Sequence, residues 1–239
     1  MNDVIVASHQ PDLFPHTGFW YKMAHCQIFD LAVHDQFQLT GYQRRVKMRG
    51  QWAGLMLDHK KTYAPITELS LHPEAMPRLM NMIAGRYRDA KYWHARKHVI
   101  HDLMEMAGTF DKLWLANTVL IEGVATFLGI ERQLHLNAQQ TEHGAERVAE
   151  RVQNAGGTVY LSGTGARSYM EENDPHFVSK GIRLAWSRHE HTTGDSILTA
   201  IFDDKDPLAT VMRGCPPTGI AHAPHCPDCS GIIGETGII

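Results

Sequence analysis

Long apolar runs are missing from this 239-residue chain. No stretch approaches the roughly 20 consecutive apolar residues that a membrane-spanning helix requires. The first residues also lack the basic segment followed by an apolar segment that marks a secretory leader. Cysteine is scarce, with four residues in all. Without an export signal, such thiols read as free or metal-binding rather than as disulfides, and the expected setting is cytoplasmic. Charge of one sign is lacking too. The 23 Lys and Arg against 26 Asp and Glu leave a formal net charge of −3, which excludes a whole-protein basic field for nucleic acid but not a local patch. Neither an internal repeat nor a low-complexity linker interrupts the chain. What remains is an ordinary globular composition, 43% hydrophobic and 21% charged, with a conspicuous sixteen histidines.

The chain opens on VIVASHQPDLFP. Val4, Ile5 and Val6 suit a buried strand, since β-branched side chains fit a pleated sheet and the run is only strand length. His9, Gln10 and Pro11 then end it. Residues 18–27 read as a helix and 28–33 as a second strand. The basic segment GYQRRVKMRG follows, in which strand alternation places Arg45, Lys47 and Arg49 on one side. ITELSL predicts another short strand. From Glu74 to Ala107 the apolar spacing is helical but too long for one helix, so a break is expected between Arg88 and Tyr92. Residues 117–128 predict a helix capped by Gly129, QLHLN a strand, and Thr141 the cap of a helix stopped by Gly156 and Gly157. TVYLSG, ARSYMEE and GIRLAWS continue as strand, short helix and strand. This alternation predicts a single α/β domain over residues 1–213, with a mixed or mostly parallel sheet flanked by helices. A Pro-, Gly- and Cys-containing tail occupies 214–239.

Several residues are candidates for chemistry. His9 titrates near neutrality, so it can accept a proton from an amine without special tuning. Gln10 offers both donor and acceptor to a substrate carboxylate or amide. Ser162 and Gly163 end a strand, as His9 does, and ligands of open α/β sheets bind outside such ends. The expectation is that His9 and Ser162 share one crevice. YLSGTGA lacks the Gly-x-Ser-x-Gly elbow and the Gly-Lys-Ser/Thr of a phosphate loop, so Ser162 reads as a substrate contact rather than a nucleophile, and no nucleotide-cofactor motif is present. Arg44, Arg45 and Lys47 are candidates to grip phosphate. His94, His98 and His101 share one helical face; without the Glu of a His-Glu-x-x-His helix, His98 reads as a polar site residue and second-choice base rather than part of a three-His metal centre. In the tail, Cys226 and Cys229 have the Cys-x2-Cys spacing of a zinc site. Cys215 and His222 (or His225) would complete four ligands for a structural zinc.

HQPDLFPHTGFWYKMA, then QRRVK, WHARKH, LANTVLI, YLSGTGARSYM and DSILTAIF, in that order, resemble the WbqC-like family from about residue 4 to 213. The resemblance implies transfer of an amino acid, foremost glycine, onto a phosphate-activated acceptor. That acceptor would be a nucleotide sugar of polysaccharide synthesis or a hydroxymethyl pyrimidine in phage DNA. DNA is thus a candidate partner. Two positions depart from the family pattern: His34-Asp35 stands where an Asp pair is usual, and Arg44-Arg45 where Asn accompanies the Arg. The rival class is a non-catalytic module that binds nucleic acid or protein through the basic segment and the tail.

Overall fold

The structure, a computed structural model, describes residues 3–58, 63–171, 173–190 and 193–217. β1 (Ile5–His9) is buried along most of its length. α1 (Thr17–Ala24) begins at His16, whose Nδ1 accepts from the Gly18 N–H at 3.1 Å. β2 (Ile28–Leu31) runs parallel to β1, with Ser8 opposite Asp30. The basic segment then forms a separate antiparallel hairpin, β3 (Arg45–Met48) and β4 (Gln51–Gly54). Its turn is Arg49-Gly50, with φ of 47° and 77°, and positive φ at both positions matches the twist of a two-residue hairpin. Arg49 therefore leaves the strand, and the expected row of three cations is broken at its third member.

α2 (Ala75–Tyr87) and α3 (Trp93–Ala107) part at the expected break. α4 (Leu113–Leu128) starts before the predicted residue 117 and ends at Gly129, whose φ of 71° is the left-handed cap. β5 (Gln133–His135) and α5 (Gly144–Asn154) follow. After β6 (Val159–Ser162) come α6 (Pro175–Val178), β7 (Arg183–Trp186), α7 (Ile197–Asp203) and α8 (Pro207–Val211).

Three local expectations are corrected. ITELSL is no strand: Ile66–Glu68 is a 3₁₀ turn, and Ser70 and Leu71 make only isolated bridges. Ile66 and Leu69 are both buried, a three-residue period that suits a 3₁₀ turn and defeats strand alternation. Thr141 does not cap α5; its hydroxyl donates to Glu142, and His143 takes the cap position without a side-chain bond. The predicted helix at ARSYMEE is a 3₁₀ turn, Thr164–Ser168.

Five strands make one parallel sheet in the order β5-β2-β1-β6-β7. Alternation along β1 sends Ile5 and Ala7 to one face, where α1, α2, α3, α4 and α7 pack. Val6 goes to the other face, against Val152 of α5 and Phe177 of α6. The chain begins at the centre, builds outward through β2 and β5, and returns by α5 to lay β6 on the free edge of β1. The connections leaving β1 and β6 therefore diverge, and a crevice opens between their C-terminal ends.

Candidate functional site

A cavity of about 450 Å³ occupies that crevice, lined among others by His9, Gln10, Lys22, Arg151, Ser162 and Gly163. His9 is the last residue of β1 and Ser162 the last of β6, so the switch in strand order brings together positions far apart in sequence.

His9 is partly buried, edge-on to Phe19 with ring centroids 5.1 Å apart. Its Nδ1 lies 3.1 Å from the Gln10 carbonyl, which can only accept, so Nδ1 carries the hydrogen and Nε2 holds the lone pair. Burial, reinforced by the nearby Lys22 ammonium, holds the imidazole well below its ordinary pKa, and it is neutral at pH 7. Asp12 Oδ2 sits 3.5 Å from Nδ1, and burial pushes this carboxyl up to about 7. Lys22 is buried in α1 and donates to the Ser8 carbonyl at 3.2 Å; burial lowers its ammonium to about 8.

Gln10 is fixed at both ends of its amide. Nε2 donates to Asp35 Oδ2 at 3.4 Å, and Oε1 accepts from Gln43 Nε2. Asp35 in turn pairs with the buried Arg151 of α5 and lies 3.6 Å from Arg147. Arg151 also donates to Gln140 at 3.2 Å. On the α5 face, Ser8 donates its hydroxyl to the fully buried Asp30 at 2.7 Å. Asn137 donates to the same carboxylate at 2.6 Å, and His135 stands 3.3 Å away. Ser162 is buried and donates to the Gly163 carbonyl at 3.3 Å, so its hydroxyl hydrogen is directed to backbone and not to a side-chain base.

The remaining sequence candidates fall elsewhere. Arg44 donates to the carbonyls of Leu39 and Leu55, both at 3.1 Å. Arg45 donates to Thr40 O and lies over the Trp52 ring at 4.5 Å; Lys47 reaches Thr193 O at 3.3 Å. These donors brace the hairpin, and none of the three lines the cavity. His98 is exposed on α3, as are His94 and His101, and it too lies outside the cavity. His101 has Glu105 at 3.6 Å instead of a second imidazole. Of the proposed zinc ligands, His222, Cys226 and Cys229 lie outside the described residues, as does His225. Cys215 sits beyond β7, its N–H donating to Arg188 O at 3.3 Å and its carbonyl accepting from Tyr21.

Sequence reading passed over Asp12, Lys22, Asp35 and Arg151 as site residues. Lys22 did carry a signal, as the charged residue within GFWYKM, a segment buried from Gly18 to Met23. Arg151 carried none, because its carboxylate partner is 116 positions away.

The model of the WbqC-like protein family matches residues 10–194, well over half of the chain. No curated protein and no solved structure matches it.

Proposed function

This chain belongs to the WbqC-like protein family, and on that premise we propose that it transfers an amino acid, foremost glycine, through its amine onto a phosphate-activated acceptor. The acceptor is a nucleotide sugar or a hydroxymethyl pyrimidine in DNA. The observation that carries this reading is the convergence of a neutral His9 with Gln10 and Ser162 on one cavity at the sheet's switch point. In the proposed step the amine nitrogen attacks the activated carbon and a new C–N bond forms. The C–O bond to phosphate breaks, the phosphate leaves with the electron pair, and His9 Nε2 takes the amine proton. Gln10, held by Gln43 and Asp35, orients the amino acid, and Ser162 contacts the substrate. The hairpin cations Arg44, Arg45 and Lys47 are given no role in this step, since none of the three lines the cavity.

Transfer of isotope-labelled glycine to each acceptor class, followed by mass detection of product, tests the activity. His9→Gln should cut turnover by about 10²- to 10⁴-fold while substrate binding changes far less. Full turnover by that variant would place the base elsewhere, and no transfer to either acceptor class would remove the reading altogether.

A further inference from the structure

Buried ammonium groups are rare, because taking a charge out of water is costly unless something compensates it. Lys22 is 7% exposed, lines the cavity, and sits on a helix face otherwise occupied by Phe19 and Met23. A lysine ammonium has three donors, and the hydrogen bond it makes is to a neutral acceptor, the Ser8 carbonyl at 3.2 Å. Among the described residues no carboxylate lies within ion-pair reach of Nζ. Arg151, also in the cavity wall, is by contrast already paired with Asp35. The buried Asp12 carboxyl feels the Lys22 charge from beyond ion-pair distance, so the cavity has one arginine in direct contact with a carboxylate and one lysine with no such contact among the described residues.

We propose that Lys22 is the oxyanion seat of this cavity, binding through its ammonium either the carboxylate of the amino acid or the phosphate of the acceptor. The inference deepens the transfer reading and rests on it only for naming those two anions. An incoming oxyanion supplies the direct ion-pair contact that Asp12 does not make, in a site where low polarity strengthens the attraction. Depression of the ammonium to about 8, with burial as the first cause, fits a group waiting for an anion. The seat adjoins His9, so an anion held there lies beside the group proposed to take the amine proton.

The test is titration calorimetry of the full-length protein with glycine and, separately, with inorganic pyrophosphate, using wild type and Lys22→Met. Met has a similar length and removes a buried charge, so the variant should melt no lower than wild type. Loss of glycine affinity by tenfold or more, with pyrophosphate unaffected, assigns the seat to the carboxylate; the converse assigns it to phosphate. Loss of both assigns one seat that either anion fills. Affinities within twofold of wild type for both ligands would overturn the proposal, as would failure of wild type to bind either. A second reading needs no mutation: in protein labelled with ¹³C-lysine, the Lys22 Cε resonance should shift on saturation with whichever anion binds. An unmoved resonance in a liganded protein counts against the seat. If anion binding depends on Lys22 but no labelled glycine is transferred, the seat stands and only the transfer reading fails.

Discussion

At the scale of single residues, Asp12 makes stability depend on pH in a direction opposite to most carboxylates. Its folded pKa, about 7, lies above the ordinary 3.8 because burial disfavours the anion. Between those values the folded chain holds a proton that the unfolded chain has released. Stability from this group is therefore full below about pH 4 and is lost as pH rises towards about 7. Asp12→Asn cannot ionise, so its stability relative to wild type should climb across that window, by about 2–4 kcal/mol at pH 8. Urea denaturation at pH 4, 6 and 8 reads this directly, and a constant difference between the two proteins would show that Asp12 does not carry the linkage. The same burial that displaces Asp12 and Lys22 keeps His9 neutral, so acid–base readiness here is a property of the pocket's walls.

Among the elements, the β3–β4 hairpin is where sequence and structure diverge most in meaning. Its cations have the composition of a phosphate grip, but their donors point at the carbonyls of Leu39, Thr40, Leu55 and Thr193. Arg44→Ala should therefore cost about 1–3 kcal/mol of stability, through two lost charge-assisted hydrogen bonds to backbone. It should leave the salt dependence of acceptor binding unchanged. A flatter salt slope with an unaltered melting curve would return the hairpin to the acceptor site. α5 shows the reverse case. Arg151 has no role assigned to it from sequence, whereas it is buried against Asp35 beside the cavity. Arg151→Met leaves that carboxylate without its nearest partner and should cost about 3–5 kcal/mol. Adding Asp35→Asn to it should recover part of the loss, measured as a double-mutant cycle; strict additivity would mean the pair is not coupled.

For the whole molecule, the order β5-β2-β1-β6-β7 puts β1 at the centre, covered on both faces and paired on both edges. Its amides should exchange with solvent only through global unfolding, while those of the two-stranded hairpin exchange by smaller openings. Hydrogen exchange followed by mass spectrometry checks this, and protection of the hairpin equal to that of β1 would contradict it. Because His9 and Ser162 end the two strands at the switch point, the cavity floor is set by the most stable part of the fold, which favours fixed geometry over an adjustable site.

Local pattern by itself determined the α/β class, the break between α2 and α3, the Gly129 cap and the strand-end placement of His9 and Ser162. In each case the cause acts over a few neighbouring residues: β-branched runs, apolar spacing, and a glycine free to take positive φ. Where local cues competed, as at ITELSL and Thr141, the sequence misled: burial of Ile66 and Leu69 was settled by packing, and the cap of α5 falls at His143, two residues beyond Thr141. Only the tertiary structure decided that β6 lies against β1, and with it the cavity, the buried Lys22 and Asp12, and the pairing of Asp35 with Arg151. Those features arise from groups brought together over 20 to more than 100 positions, as Ser8 meets Asp30 and Asp35 meets Arg151. A charge on a helix looks alike in sequence whether water or a carboxylate faces it. Desolvation and pairing exist only once the chain has closed around them.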